Sequence, residues 1–458
     1  MGRKLALRLK TAGLQGSGNG LGSGIGSAAG KKITRKAFGL HVGNLPPTTI
    51  WGDYSQSANT NYNQVPIPDI GAGSIRLWDS NGCSWRNIER TQGVFTWGRL
   101  DNALAMADAK GLDIVYTLGC GPDWATVLPG QFAGLYVGYN PHPPISDAVW
   151  INWCTAIANK LIGRGVKYEI WNEVNDQVYG AGFVGSGFIG SAALLVHLTQ
   201  LAQQTIMAID PTAKILSANF VGQDGIQNPA ADSVTLDGYL AAGGANYCDF
   251  ISVHAYNTLP IWTRPEGVIE MGKRVFDTLA KYNVTKPVWN TEWGYGTWRD
   301  ETGQLRYYPG NQMPDNIAQM YVTRMLILSW CVGFDRFYFY SVDGVQSYNS
   351  IVIINPSSPL GATTIQAAGL AYKYFADLMN NGYVSDLQAL TAGGKLYYSA
   401  NFTLANRRRG VIYWCDNYDT AVISIAGAKS GTDNLGNVIE VSAGTLTVTG
   451  TPKFIYYS

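Results

Sequence analysis

The chain has 458 residues, more than a typical single domain, and 46% of them are hydrophobic, which is enough for a large core. Only 14% are charged and the formal net charge is +1, so the composition gives no electrostatic reason to expect a nucleic acid or an anionic membrane as partner. We predict no membrane span, because no apolar run has the length of about 18–20 residues that crosses a bilayer.

The first 36 residues differ from the rest of the chain and are predicted to form a tail. Residues 1–10 carry positive charge but lack the apolar stretch of about 7–15 residues that a secretory signal requires. Residues 13–30 are rich in Gly and Ser, a composition typical of a flexible linker. The alternative is a segment that attaches the protein to a larger assembly.

Six cysteines are scattered along the chain, with neither a CxxC pair nor a His-Cys cluster. We therefore expect no zinc site and no disulfide framework. Several of them lie in apolar runs, where a free thiol packs as a small hydrophobe. They are Cys83, Cys120, Cys154, Cys248, Cys331 and Cys415.

From Phe38 onward, short β-rich runs alternate with amphipathic helical runs. Gly111 follows one helical run as a C-terminal stop, and Ser146 and Asp147 precede another as N-cap candidates. The predicted strands cover 38–43, 74–79, 112–118, 168–171, 213–218, 250–254, 287–291 and 334–340. The predicted helices cover 100–110, 146–163, 191–209, 232–242, 265–282, 314–331 and 364–379.

This alternation predicts an α/β fold, a (β/α)8 TIM barrel at residues 37–381. The alternative is a doubly wound open sheet, which would need a Gly-rich phosphate-binding turn after the first strand. The sequence His-Val-Gly-Asn-Leu-Pro-Pro at 41–47 is not such a turn. The barrel is therefore the better interpretation.

After Asn381 the pattern changes. Short alternating runs separated by turn residues replace the helical periodicity, for example at 395–398, 410–414 and 445–449. Residues 382–458 are therefore predicted to form a small C-terminal all-β sandwich domain.

Polar side chains stand at the ends of the predicted strands, which in such a barrel meet at one mouth. Glu173 ends the run Lys-Tyr-Glu-Ile-Trp-Asn-Glu, and Glu292 ends the run Lys-Pro-Val-Trp-Asn-Thr-Glu. Strands four and seven lie on opposite sides of the barrel axis, so the two carboxylates are expected to face each other. Such a pair suits glycosidic cleavage, in which one group protonates the leaving oxygen and the other attacks the anomeric carbon or activates water. Other polar residues at the mouth are His41, Arg76, Asp79, Asp123, Asn172, Asn219, His254, Tyr256 and Tyr340.

Two motifs resemble those of retaining glycoside hydrolases of clan GH-A. They are Trp-Asn-Glu at 171–173 and Thr-Glu-Trp at 291–293. A second group of segments resembles family 39 glycosidases and related bacterial exopolysaccharide hydrolases. These segments are Ile-Arg-Leu-Trp-Asp at 75–79, Trp85, Glu89, Gly-Val-Phe-Thr-Trp at 93–97 and Leu-Asp at 100–101. The resemblance covers the predicted barrel, and the C-terminal domain resembles the sandwich that accompanies such barrels.

The resemblance implies a role for each matching residue. Glu173 would be the general acid/base and Glu292 the nucleophile, while Asn172 would bond the 2-hydroxyl group of the sugar. Tyr256 would donate a hydrogen bond to the nucleophile and keep it ionised, and His254 would shape the site beside it.

The resemblance also implies that Arg76 lies beside Glu292, where a cation lowers the pKa of a carboxylate. Glu173 needs the opposite, a raised pKa, so that it enters the cycle protonated. The alternatives are a structural ion pair between Arg76 and Asp79, and a place for His254 in the core.

Aromatic residues at or beyond the strand ends are candidate sugar platforms, because a ring face packs well on the C–H face of a sugar. Most of the 14 Trp and 27 Tyr are expected to belong to the core instead. The candidates for substrate contact are Trp51, Trp78, Trp124, Trp293, Trp298 and Tyr340.

The sequence thus predicts a retaining glycoside hydrolase acting on a poly- or oligosaccharide, with bacterial exopolysaccharides among its candidate substrates. Long loops after strands three, four and seven favour a cleft with several subsites and hence endo action. The alternatives are a non-catalytic glycan-binding component of a larger assembly such as a phage tail, and a transglycosylase that uses the same residues.

Carbohydrate is the predicted partner, and the sequence gives no sign of the oligomeric state. There is no P-loop, no Gly-x-Ser-x-Gly elbow and no metal-ligand spacing, so neither a cofactor nor a metal is predicted. A polysaccharide substrate favours a secreted, cell-surface or particle-associated location, although the sequence contains no clear signal peptide.

Overall fold

A computed structural model describes residues 30–41, 67–78, 82–129, 140–175, 187–227, 234–256, 264–295, 297–300, 302, 304–307, 313–342, 351–355, 364–416 and 418–458. Most of the predicted tail, together with Trp51 and Asp79, lies outside these residues. So do parts of the predicted loops after strands three, four and seven.

The strands of the described residues are, in chain order, β1 Phe38–His41, β2 Ser74–Leu77, β3 Asp113–Thr117, β4 Lys167–Glu169, β5 Lys214–Val221, β6 Phe250–His254, β7 Val288–Trp293, β8 Thr297–Arg299, β9 Leu305–Tyr307, β10 Arg336–Tyr340, β11 Ile354–Asn355, β12 Thr364–Ile365, β13 Tyr383–Ala392, β14 Lys395–Thr403, β15 Arg409–Cys415, β16 Ala421–Ser424, β17 Ser430–Thr432, β18 Val438–Ile439, β19 Thr445–Val448 and β20 Lys453–Tyr456. Eight of them are parallel and close into a barrel in the order β1-β10-β7-β6-β5-β4-β3-β2. The predicted (β/α)8 barrel is confirmed.

Helices form the outer layer of the barrel. They are α1 Trp85–Ile88, α2 Gly98–Lys110, α3 Asp147–Leu161, α4 Ala192–Ile209, α5 Gly222–Ile226, α6 Leu236–Ala241, α7 Val268–Lys281, α8 Asp315–Cys331 and α9 Ala367–Met379. Local signals set several helix ends. The Ser146 hydroxyl accepts the N–H of Val149 at the start of α3, and Gly111 ends α2 at a positive φ of 62°, which costs glycine little.

The barrel interior is filled by side chains. Val115, Leu216, Trp289 and Tyr338 form one apolar cluster inside it, and the Arg336 guanidinium carbon lies 3.9 Å from the Trp289 ring centroid. Every residue of β7 is buried, as expected of a parallel strand covered on both faces. The barrel is therefore a packed core that supports the residues at its mouth.

Several element boundaries differ from the sequence predictions. β5 extends to Val221 and β7 to Trp293, so Asn219 and Glu292 lie within strands rather than beyond them. A short antiparallel hairpin, β8–β9, follows β7 and was not predicted. The predicted helix at 232–242 is shortened to α6, which begins at the Thr235 cap.

The C-terminal residues form antiparallel sheets. Six strands pair in the order β13-β14-β15-β20-β17-β18, and β16 pairs with β19. Ile423, Leu446, Val448 and Ile455 pack into a shared apolar cluster between them. The predicted small all-β domain is confirmed in its architecture.

A buried charged contact joins these sheets to the barrel. Glu266, just before α7, accepts hydrogen bonds from Arg324 Nε of α8 at 2.7 Å and from Trp414 Nε1 of β15 at 2.9 Å. Nearby, Arg264 forms an ion pair with Asp416. The two parts of the chain thus share buried polar contacts in addition to apolar packing.

All six cysteines lie in the described residues, and each is buried and outside any disulfide there. Burial raises the pKa of Cys83 and Cys248 to about 12, so these thiols stay protonated and pack as small apolar groups.

Among the described residues, one helix, α4, is long and apolar enough to cross a bilayer by length and composition alone. Its Leu195, Leu198 and Ala202 are buried, and Tyr239 of α6 donates a hydrogen bond to its Thr199 at 3.2 Å. This is the packing of an outer barrel helix.

Candidate active site

Glu292 lies at the mouth of the barrel, near the carboxyl end of β7, and is 6% exposed. Arg76 of β2 donates a hydrogen bond from Nη1 to its Oε2 at 2.7 Å, and Tyr256 donates one to its Oε1 at 3.0 Å. The Nδ1 atoms of His41 and His254 lie 3.6 Å and 3.9 Å from Oε2. Four residues from three strands and one loop therefore surround a single carboxylate.

These neighbours keep Glu292 ionised. Burial alone would raise the pKa of its carboxyl group, but the charge of His254, the hydrogen bond from His41 and the charge of Arg76 together lower that pKa to about 2. Burial and the Glu292 charge also raise the pKa of Tyr256 well above its usual value, so Tyr256 remains a hydrogen-bond donor. The carboxylate is thus available as a base or nucleophile over a wide pH range.

Arg76 is fully buried and connects Glu292 to a second carboxylate, Glu169 of β4. Arg76 donates to Glu169 Oε2 through Nε at 2.9 Å and Nη2 at 2.7 Å, and Nη2 also donates to Asn172 Oδ1 at 2.7 Å. One guanidinium therefore holds Glu169, Asn172 and Glu292 in fixed relative positions. The structure places Arg76 beside Glu292, the position expected from the sequence.

Glu169 was not singled out from the sequence. It is fully buried and accepts five hydrogen bonds, two from Arg76 and one from each of three hydroxyl groups, those of Thr117, Ser252 and Thr291, at 2.6–2.7 Å. Burial would raise the pKa of Glu169, yet the charges of Arg76 and His254 and the hydroxyl donors lower it. A glutamate inside the apolar run of a predicted strand was the sequence signal for this residue.

Glu173 lies in the turn after β4, and its side chain is 17% exposed. Its Oε1 lies 2.9 Å from His254 Nδ1. Its φ of 43° is in the left-handed region, which is uncommon for any residue with a side chain other than Asn or Asp. Glu173 is therefore more open to solvent than Glu292 and rests on an unusual backbone.

The two glutamates lie close together. An oxygen of Glu173, an oxygen of Glu292 and a ring nitrogen of His254 are all within 4.8 Å of one another. The nearest oxygens of the two carboxyl groups are thus no more than 4.8 Å apart. For comparison, the carboxyl groups are about 5–5.5 Å apart in retaining glycosidases and about 6.5–9.5 Å apart in inverting ones.

By distance alone, Glu173, His254 and Glu292 could hold a metal ion. Their present contacts fit one poorly. Both oxygens of Glu292 already accept hydrogen bonds, and Arg76 supplies at Oε2 the positive charge that a metal would bring.

The aromatic candidates divide between mouth and core. The guanidinium carbon of Arg76 lies 5.6 Å from the ring centroid of Trp78, and the rings of Tyr340 and His41 meet edge-on with their centroids 4.7 Å apart. Trp78 and Tyr340 therefore lie beside residues that surround Glu292. Trp124 is half-buried in the loop after β3 and donates to Glu89 O at 3.0 Å. The structure does not bring Trp293 into this group.

Trp293 is fully buried and packs against Tyr295 and Phe337. It follows Glu292 directly, and neighbouring residues in a strand point to opposite faces of the sheet. Trp298, in the hairpin after β7, is also buried, at 5% exposure.

No protein-family model matches the sequence, and no curated protein matches it either. Solved structures do match. A family 39 glycoside hydrolase from Bacteroides cellulosilyticus is 16% identical with a TM-score of 0.59, and the match covers 93% of this chain and 82% of that one. The GH30 xylanase C catalytic domain of Talaromyces cellulolyticus is 15% identical with a TM-score of 0.54, covering 94% and 98%. A family 51 α-L-arabinofuranosidase from Bifidobacterium longum is 12% identical with a TM-score of 0.55, also covering 94% and 98%.

These matches extend over nearly the whole chain, including the C-terminal sheets. At such low identity they establish a shared fold. The predicted resemblance to clan GH-A glycosidases therefore holds at the level of the fold.

Proposed function

We propose that the protein is a retaining glycoside hydrolase that cleaves O-glycosidic bonds of a poly- or oligosaccharide. The observation that carries this proposal is the pair Glu173 and Glu292, whose oxygens lie within 4.8 Å of each other in different surroundings. Glu292 is buried and strongly stabilised as an anion, whereas Glu173 is partly open to solvent. Two carboxyl groups with such different environments suit the two roles of a double displacement.

In the first step, Glu292 attacks the anomeric carbon and Glu173 gives its proton to the glycosidic oxygen, which leaves with the aglycone. In the second step, Glu173 takes a proton from water, and the water oxygen replaces Glu292 at the anomeric carbon. Arg76 and Tyr256 keep Glu292 anionic until attack. Asn172, fixed by Arg76, is the proposed partner of the sugar 2-hydroxyl group, and His254 orients Glu173.

The proposed substrate is a polysaccharide attacked within the chain, with bacterial exopolysaccharides among the candidates. Neighbours of similar fold include a xylanase, an α-L-arabinofuranosidase, a xyloglucanase and an endo-β1,6-glucanase. Trp124 and Tyr340 are the proposed aromatic contacts for sugar rings, because both are partly exposed and lie in a mouth loop or beside His41. Trp78, like Trp298, is only 5% exposed.

The test is the configuration of the first-formed product. Xylan, xyloglucan, arabinan, β-1,6-glucan and bacterial exopolysaccharides are screened for release of reducing ends. For the substrate that is cleaved, NMR then follows the new anomeric proton before mutarotation. We expect the configuration of the substrate to be retained. An inverted first product contradicts the two-step mechanism, and glycan binding without product on every polymer favours a non-catalytic glycan-binding protein.

The pH dependence should report the state of Glu292. The acidic limb of kcat/KM reflects the nucleophile in the free enzyme, whose pKa is about 2. The Tyr256→Phe variant loses a donor to the anion, so the pKa of Glu292 rises and the acidic limb moves to higher pH. Tyr413→Phe, which removes a hydroxyl group from the C-terminal sheet, should leave the limb in place. An unchanged limb in Tyr256→Phe contradicts this account.

A further inference from the structure

Asn219 of β5 is a fully buried amide at the barrel mouth that the catalytic scheme above does not use. Its side chain contacts the turn that carries Glu173. Oδ1 accepts the backbone N–H of Glu173 at 2.6 Å, and Nδ2 donates to the backbone oxygen of Trp171 at 2.9 Å. The main chain of Asn219 adds bonds to Trp171 O and from Val174 N, at 3.3 Å and 3.2 Å.

Glu173 needs such support because of its backbone. At φ 43° its Cβ is crowded against its own carbonyl group, a conformation that costs free energy unless the surroundings impose it. Asn219 holds the N–H groups of Glu173 and Val174, one on each side of the Cα of Glu173. Rotation of φ to an ordinary negative value would break one of these two hydrogen bonds. It would also move the carboxylate away from His254 Nδ1 and from Glu292. The position of the carboxylate thus depends on a backbone angle, and the angle depends on Asn219.

Asparagine meets this requirement through its chemistry. The turn presents an N–H and a carbonyl oxygen side by side. A single side chain that bonds both must carry an acceptor and a donor at the same distance from its own backbone. Aspartate keeps the acceptor but faces the Trp171 carbonyl with a second oxygen, and leucine has the shape without either group. A second amide, Asn175, exchanges hydrogen bonds with the backbone of Val221 at 2.8 Å and 3.0 Å on the far side of the turn.

We propose that Asn219 is a positioning residue for proton transfer by Glu173. It holds residue 173 in the left-handed conformation and thereby aims the carboxylate at the glycosidic oxygen. This inference rests on the proposed role of Glu173 as acid/base. It concerns only the steps that need the proton, since Asn219 makes no contact with Glu292 among the described residues.

The kinetic test uses Asn219→Asp with two kinds of substrate. Cleavage of a natural glycosidic bond requires protonation of a poor leaving group. In a dinitrophenyl glycoside the leaving group is dinitrophenolate, which departs without being protonated. A misplacement of about 1 Å costs on the order of 10²-fold, so kcat/KM should fall about 100-fold on the natural bond and less than about threefold on the dinitrophenyl glycoside. The matched control, Asn434→Asp, changes a buried amide that contacts Thr323 of α8 and should alter neither value. Equal losses on both substrates, or no loss on either, overturn the inference.

A second measurement does not depend on activity. Glycine tolerates a positive φ and alanine does not, so the urea midpoint of Glu173→Gly should exceed that of Glu173→Ala. In the Asn219→Ala background the backbone can relax, and the gap between the two midpoints should narrow or reverse. A gap of the same size in both backgrounds overturns the inference. Inactivity of the wild type on both kinds of substrate, with the gap behaving as expected, would instead refute the proposed function.

Discussion

Glu292→Gln should lower kcat/KM on the polysaccharide substrate by at least about 10³-fold, because the variant keeps the shape of the side chain but cannot form the glycosyl-enzyme bond. Glutamine can still accept the hydrogen bond from Arg76 through its amide oxygen, and its NH2 group can donate to the Tyr256 hydroxyl oxygen, so the site should keep its overall geometry. The measurement is reducing-end release by wild type and variant at equal concentration, with the thermal midpoint checked for both.

The matched control is Glu270→Gln, an exposed glutamate on α7 that pairs with Arg274 one turn away. It should retain wild-type activity. A further variant, Glu292→Gly, leaves space for azide on the nucleophile side of the sugar. With a dinitrophenyl glycoside and azide, this variant should form a glycosyl azide of inverted configuration. Residual activity of Glu292→Gln near that of wild type would remove Glu292 from its proposed role.

Arg76→Met should cause the largest loss of stability of any single substitution at the mouth. The guanidinium is the shared partner of two buried carboxylates, Glu169 and Glu292, and of the Asn172 amide. Loss of one partner from a buried ion pair costs about 3–5 kcal/mol, since a charge is left uncompensated. Urea unfolding followed by tryptophan fluorescence measures this change.

The double variant Arg76→Met/Glu169→Gln distinguishes this explanation from simple loss of packing. Replacement of Glu169 removes one of the uncompensated charges, so the double variant should be more stable than Arg76→Met alone. Arg274→Met, which breaks an exposed pair on α7, should leave the urea midpoint nearly unchanged. If the double variant is less stable than Arg76→Met, the charge of Glu169 is not the cause of the loss.

The barrel was predictable because its signals are local. The run at 250–254 became β6 with the same limits, and Gly111 ended α2 as predicted. The strand-end rule also placed Glu173 and Glu292 at one mouth without any structural information. Periodicity and turn residues act over a few positions, and the barrel follows from their order along the chain.

The buried contacts that the sequence did not reveal depend on departures from regular strand geometry. Pairing registers shift on both sides of β7, between Val253 and His254 and between Phe337 and Phe339. With this irregularity, consecutive residues Thr291 and Glu292 both reach the buried polar group, one at Glu169 and the other at Arg76. Regular alternation would have sent one of them to the opposite face.

The contacts of Asn219 and Glu169 were hidden for a related reason. Each lies within the buried part of a strand, and its partners are 46–122 positions away in the sequence. Only the closed barrel brings these positions together. The sequence could therefore nominate Glu173 and Glu292, but not the contacts through which Asn219 and Glu169 support the residues around them.

The contact of Glu266 with Arg324 and Trp414 bears on how the protein can be divided. A fragment that stops at the predicted boundary after residue 381 would lose Trp414 and Asp416 and would open a buried charge pair to water. Such a fragment would fold poorly even though it retains Glu173 and Glu292, so a loss of function in it would not test their proposed roles. A chimera that takes its C-terminal sheets from a relative would also need the relative's residues at positions 264–266 and 324. These barrel residues contact the sheets, so the two parts must be exchanged together.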